Sequence, residues 1–296
     1  MKTGYIKSGV FADPHLVAVS YGSSLAREGF MYRYLLVIAC LCIGNAAFAQ
    51  APDTVLMERL TSYEIRDAIA AGKTTVILPS GGTEQNGPGM AIGKHNFRAL
   101  ANAQTIARRL GNALVAPVIV YTPEGKYDPP QGHLRYPGTM GVPEDVYAGV
   151  VEGVVRSLKL HGFRDIVLIG DHGSDQAGQD AVAAKLNAEW ARTNVRVHAI
   201  GAYYRGDPEG DAQEMMKRGI KKEEIGNHAD VRDTSQMLAI DPTMVHMNRL
   251  EAGNSKNGVE GDPRHASAEI GHVLIDRTVA RTTDLIRKSI AAAHSN

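Results

Sequence analysis

The chain has 296 residues, 44% hydrophobic and 22% charged, enough for one large domain or two small ones with a buried core. Lysine plus arginine equals aspartate plus glutamate, 32 each, so no net field draws it to nucleic acid or to an anionic membrane surface. Both cysteines, Cys40 and Cys42, fall in one apolar run near the N-terminus; a chain cut beyond that run has no disulfide, thiolate ligand or cysteine nucleophile.

The first signal in chain order is a targeting segment. Met31-Tyr32-Arg33-Tyr34 gives a short n-region with one positive charge, Leu35 to Ile43 is apolar, and Ala47-Phe48-Ala49 fits an A-x-A cleavage site. Residues 31–49 therefore read as a signal peptide cut after Ala49, which implies a periplasmic or secreted protein. The apolar run is shorter than the roughly 20 residues of a membrane helix, so no stable membrane insertion is expected after cleavage; an uncut anchor is the alternative. Val37-Ile38-Ala39-Cys40 loosely fits a lipoprotein site, but the h-region before it is short, and simple export ranks higher. Residues 1–30 read as an upstream extension from a misplaced start codon, with a long translated n-region as the alternative. Residues 50–296 then form one domain.

Within that domain, Ser62 to Ala71 reads as a short helix, and Thr74 to Leu78 as a strand ended by Pro79-Ser80-Gly81-Gly82. Asn96 to Leu110 carries apolar residues at helical spacing and stops at Gly111-Asn112. A strand fits Ala113 to Val120. The Pro- and Gly-rich connection from Tyr121 to Gly141 is long enough to suggest a functional loop. Pro143 opens a helix that runs to Leu160, with Glu144 and Asp145 at its positive end. Asp165 to Gly170 is an apolar strand of the kind buried on both faces of a parallel sheet. A helix over Gln176 to Arg192, a strand over Val195 to Tyr203, a loop over Gly253 to Pro263 and a closing helix over Thr278 to Ala292 complete the reading. This alternation predicts an α/β fold, a three-layer α/β/α sandwich around a mostly parallel sheet. Ligands in such sheets bind beyond the carboxyl ends of the strands. The loops holding Glu84, His133 and His172 all follow predicted strands and are expected to converge there.

Three residues could carry metal chemistry. Glu84 lies in a loop just after a buried strand, where a carboxylate serves as ligand or base; a solvated loop glutamate is the plain alternative. His95 starts a helix, as a ligand or as a capping or surface histidine. His172 lies in a Gly-bounded loop straight after a buried strand, a setting that core packing explains less easily. One glutamate and two histidines make a recurring catalytic zinc set with an open fourth position. Such donors also suit other divalent metals.

The motifs resemble the creatininase family of metal-dependent amidohydrolases. Gly81-Gly82-Thr83-Glu84-Gln85-Asn86-Gly87-Pro88-Gly89 is similar to the family's G-x-x-E-Q-H-G-P-H stretch, and Gly93-Lys94-His95-Asn96 to its G-T-D-T. Gly132-His133-Leu134-Arg135-Tyr136-Pro137-Gly138-Thr139 resembles E-H-x-x-F-P-G-T, and His161-Gly162-Phe163-Arg164 matches H-G-F-[RK]. Gly170-Asp171-His172-Gly173-Ser174-Asp175 resembles the N-G-H-G-G-N loop, and the stretch from His228 to Ser235 resembles H-A-G-x-x-E-T-S. Gly261-Asp262-Pro263-Arg264 and Ala266-Ser267-Ala268-Glu269 also look like the family, and the likeness spans residues 54–290.

The resemblance implies hydrolysis of a non-peptide, cyclic C–N bond by a metal-activated water, on a small-molecule substrate and in a homo-oligomer. It departs from the family in its ligands. Asn86 stands for the first histidine, His95 for the bridging aspartate, and Ser174 for the carboxylate two residues after the loop histidine. These changes point to one ion, Zn2+ first and Mn2+ or Fe2+ next, on Glu84, His95 and His172. By the same resemblance His228 is the candidate catalytic acid. Asp233 orients it, completes a ligand shell, or is simply a first-turn helix acid. Asn86, His133, Tyr136 and Asp175 are assigned to the substrate pocket. Creatinine itself is not expected as the substrate, given the altered ligands and the predicted export. A lactonase or other esterase and a non-catalytic periplasmic binding protein are the competing readings.

Overall fold

The computed structural model describes residues 52–295, so the signal peptide, the upstream extension and both cysteines lie outside the described residues. Short 3-10 turns aside, the described strands and α-helices, in order, are α1 Ser62–Ala70, β1 Thr75–Ser80, α2 Lys94–Leu110, β2 Ala113–Val115, α3 Glu144–Leu160, β3 Asp165–Gly170, α4 Asp175–Glu189, β4 Arg196–Ala199, α5 Ala202–Arg205, α6 Pro208–Lys217, α7 Val231–Ile240 and α8 Ala268–Ala293.

The four strands pair in the order β2-β1-β3-β4, every pairing parallel. Side chains alternate across this sheet, and both faces are apolar. Val76, Leu78, Ile166 and Leu168 face one layer, packed with Tyr147, Val151 and Val155 of α3 and Val182 and Leu186 of α4. Ile77, Val167 and Ile169 face the other, packed with Ala103 and Ile106 of α2 and Val279 and Ile286 of α8. The result is the expected three-layer sandwich. Helix α7 packs against α8 and α2, which brings its N-terminus to the carboxyl end of the sheet.

The largest differences from the sequence reading fall at three boundaries. The second strand stops at Val115; beyond it, Ala116 N–H donates to the Ile77 carbonyl and Ile119 makes an isolated pairing with Ser80 of β1. The fourth ends at Ala199, and Tyr203 lies in α5. The closing helix starts ten residues before Thr278, at Ala268, where the Ser267 side chain accepts from Ile270 N–H as an N-cap. Among the described residues, no helix is long and apolar enough to cross a membrane.

The exit of β1 is a close approach that only glycine permits. A Cβ on Gly81 would lie 2.8 Å from Asn96 Cα. With that space free, Gly82 N–H donates to Asn96 Oδ1 at 3.0 Å, and the loop carrying Glu84 is pinned to the start of α2.

Candidate metal centre

The carboxyl ends of the strands and the N-termini of two helices deliver the polar residues to one point. Glu84 follows β1, Asp171 and His172 follow β3, Lys94, His95 and Arg98 sit in the first turns of α2, and Asp233 in the first turn of α7. The long connection after β2 supplies Glu124 and His133, and the loop before α7 supplies His228. All of these but Glu124 border a cavity of about 500 Å³, whose lining includes Glu84, Lys94, His95, His133, His172 and His228. That size suits a small-molecule ligand.

The Glu84 carboxylate, fully buried, is the hub. Its Oε1 lies 2.7 Å from His95 Nε2, and its Oε2 lies 3.0 Å from His172 Nε2 and 3.1 Å from His133 Nε2. Burial alone would raise its pKa, but the charge on His95, the His95 hydrogen bond and the Lys94 charge hold it well below the usual carboxylate range. Ligand atoms of Glu84, His95 and His172 all lie within 4.8 Å of one another, and so do those of Glu84, His133 and His228.

Hydrogen-bond partners fix the tautomers and separate these two groups. His95 Nδ1 faces the buried Asp171 carboxylate at 2.7 Å, so it carries a hydrogen and Nε2 points its remaining valence at Glu84. His172 Nδ1 is 2.6 Å from Ser174 Oγ, which must itself donate to the Pro123 carbonyl at 2.5 Å; this short contact outweighs the 3.4 Å approach of Ser174 N–H to the same nitrogen, so Nδ1 is assigned as the donor and Nε2 offers a lone pair to Glu84. Two lone pairs directed at a carboxylate require a proton or a metal between them. Without a metal, His95 carries that proton: burial and Lys94 push its pKa down, but Glu84 and Asp171 win and raise it. His133 needs no such ion. Gln85 Nε2 donates to its Nδ1 at 3.1 Å, leaving Nε2–H to donate to Glu84. His228 donates Nε2–H to the Gln85 carbonyl at 2.9 Å and turns Nδ1 toward Glu84 Oε1, 3.5 Å away. Burial, then the Lys94 charge, lower the pKa of His228 to about 3, so it is neutral at ordinary pH.

Of the residues assigned from sequence, Glu84, His95, His133, His172, His228 and Asp233 come together around the cavity. Asn86, Tyr136 and Asp175 do not border it. Asn86 is buried and donates to the backbone carbonyls of Glu84 and Ala91, which holds the loop in shape. Asp175 lies beneath the site, accepting from Ser80 Oγ and His172 N–H, and burial pushes its pKa up to about 8. Tyr136 is half-buried beside Arg135. Asp233 makes no hydrogen bond to His228. Its carboxylate binds Lys94 Nζ at 2.7 Å, Arg98 at 2.6 Å and Ala229 N–H at 3.0 Å, while Asp230 caps α7.

The sequence reading missed Lys94, Arg98, Asp171 and Glu124. Lys94 has a legible signal: a cation at the positive end of a helix opposes the helix dipole and needs an anionic partner. It is fully buried, between Asp233 and Glu84 Oε1, the latter 3.6 Å away. Arg98 bonds Asp171 and Asp233 and so braces both acids. Nothing in spacing marks Glu124.

Residues 58–286 match a family model described as creatinine amidohydrolase, or creatininase. The chain is 26% identical over 257 residues to creatinine amidohydrolase of Pseudomonas putida, covering 79% of this chain and 97% of that one. It is 25% identical to 3-dehydro-scyllo-inosose hydrolase of Thermotoga maritima over 67% of this chain and 60% of that protein. A mycofactocin precursor peptide peptidase of Mycolicibacterium smegmatis is also 25% identical, over 72% of this chain and 84% of its own length. Among solved structures, one described as creatininase Mn aligns with a TM-score of 0.68 at 25% identity, covering 80% of this chain and 99% of the other. A mutant creatininase of Zn-Zn type aligns with a TM-score of 0.66 at 26% identity, covering 81% and 99%.

Proposed function

The chain belongs to the creatininase family, and from that premise we propose that it is an exported, metal-dependent amidohydrolase that opens a cyclic, non-peptide C–N bond. The observation that carries this reading is the pair of imidazole nitrogens, His95 Nε2 and His172 Nε2, turned on the single buried carboxylate of Glu84. Their donor chemistry fits one divalent ion, zinc first, with manganese or iron(II) accepted by the same ligand types. Such an ion, when bound, would polarise a substrate carbonyl and lower the pKa of water.

One ion is the better fit than two. His133 is satisfied by hydrogen bonds in the tautomer that Gln85 imposes.

The remaining residues handle protons and position. His228, neutral and anchored through Nε2–H, presents Nδ1 as a proton acceptor on the cavity wall. A proton taken there during attack is available to a leaving nitrogen, which cannot depart as an anion. Lys94 and Arg98 hold Asp233 and keep positive charge on the inner wall. His133 donates to Glu84 and fixes the outer carboxylate oxygen.

A lactone substrate is the second reading. The low pKa of His228 makes it a weak proton store, and a leaving alkoxide needs less help than a leaving amine. Turnover of a panel of lactams and lactones, with and without chelator, tests the proposal: chelator-sensitive lactam opening supports it, and tight binding without turnover contradicts it. Export is checked by fractionating cells that express the full chain, and homo-oligomeric assembly by light scattering of the purified protein.

A further inference from the structure

Glu124 is buried in the same centre and lacks the partners its neighbours have. Its side chain is fully shielded from solvent. Oε1 accepts from Thr122 Oγ1 at 3.1 Å, while Oε2 receives no hydrogen bond from a donor and lies 3.5 Å from His172 Nε2; burial and then the neighbouring Glu84 carboxylate push the Glu124 pKa up to about 9, so the two acids crowd one another unless a proton or a cation stands between them. A buried carboxylate oxygen without a donor is costly, and such an atom calls for an explanation.

The position is built. A Cβ on Gly141 would lie 2.8 Å from Glu124 Cβ and 2.9 Å from its Cγ, and a Cβ on Gly82 would lie 3.2 Å from Oε1. Two glycines therefore leave room for this side chain, Gly141 along its stem and Gly82 at its carboxylate. The residue before it, Pro123, supplies the carbonyl that sets the His172 tautomer through Ser174. One short segment thus turns the His172 lone pair inward and sets an unpartnered carboxylate oxygen beside it.

We propose that Glu124 is a fourth protein ligand of the divalent cation held by Glu84, His95 and His172. This rests on the metal reading above. It also accounts for Ser174: the carboxylate that the family pattern carries two residues after the loop histidine is supplied here from the connection after β2, and the serine takes over orientation of His172. Two carboxylates and two neutral imidazoles would balance a dication without residual charge, which a buried site favours.

The test is titration of metal-stripped full-length protein with Zn2+ and Mn2+ by calorimetry, together with the visible spectrum of the Co2+-loaded form. Glu124→Gln keeps the side chain's shape and removes its charge. The expected result is an affinity about 100-fold weaker or worse, since even supporting residues of a metal site cost about 10–100-fold, with an altered Co2+ spectrum. Unchanged affinity and spectrum in Glu124→Gln, with binding lost in His172→Ala and Glu84→Gln, overturns the role of Glu124 and leaves the metal reading standing. Wild-type binding in all three variants overturns both. Should Glu124→Gln not fold, Glu124→Asp gives the same readout: the shorter chain is expected to weaken binding at least about 10-fold, and wild-type affinity would contradict the assignment.

Discussion

The imidazole of His95 is held through Nδ1 by Oδ1 of Asp171 at 2.7 Å, with both residues buried, while its Nε2 faces Glu84. Asp171 is itself fixed by Arg98 and by the Tyr203 hydroxyl at 2.6 Å. Burial would raise the Asp171 pKa, but the Arg98 charge and the His95 bond keep it below the usual range. This carboxylate–histidine pair is the arrangement that orients a metal ligand and raises its basicity. Asp171→Asn is therefore expected to weaken divalent-metal binding by about 10–100-fold, read by calorimetry. Unchanged affinity would mean that His95 does not act as a ligand.

His228 separates amide from ester chemistry. In His228→Ala, lactam opening is expected to fall by roughly 10²–10⁴-fold, the usual worth of a positioned acid–base group. Lactone opening should fall far less. The measurement is kcat for a matched lactam and lactone in both proteins, and equal losses would contradict the proton-transfer role.

Lys94 and Asp233 form a buried ion pair at 2.7 Å. Lys94→Met leaves the acid with Arg98 and a backbone N–H only. Removing one partner of such a pair costs about 3–5 kcal/mol, so denaturant unfolding of the metal-free protein should show a loss near the lower figure. Adding Asp233→Asn should recover part of it. Strict additivity of the two changes would argue against direct coupling.

Acid sensitivity has a source away from the cavity. Asp165, at the start of β3, accepts from His198 Nε2 at 3.0 Å and from His294 Nε2 at 2.9 Å, tying the sheet to the end of α8. Burial pushes its pKa up, but the two histidines outweigh it and lower the net value. A carboxylate with a lowered folded pKa stabilises the protein above its unfolded pKa of about 3.9, and that contribution disappears as pH falls through the folded value. The stability gap between wild type and Asp165→Asn should therefore shrink from about pH 5 downward. A gap independent of pH would contradict this.

Much of the fold was legible because its signals are local. Val76 to Leu78 and Ile166 to Ile169 are apolar on both faces, as a buried parallel strand must be, and α2 and α3 carry their helical spacing openly. The fourth strand was overextended because Tyr203 and its neighbours are equally good in a strand or a short helix, and only burial against Asp171 and Asn102 decides between them. At the site, Glu84, His95 and His172 were readable from their loops and from the family likeness. Sequence alone places Asp175 in the pocket, because a first-turn acid next to a functional loop looks exposed; its packing against Ser80 buries it instead. Glu124 was invisible, since its approach to His172 depends on the path of an irregular connection and on the space left by Gly82 and Gly141.

The most direct measurement is the metal content of the purified protein together with its chelator-dependent activity. One equivalent of divalent metal per chain is expected, with lactam or lactone hydrolysis lost on chelation, restored by Zn2+ or Mn2+, and absent in His172→Ala. Full turnover by metal-free protein would contradict the metal-dependent reading, and two tightly bound equivalents per chain would contradict the single-ion site.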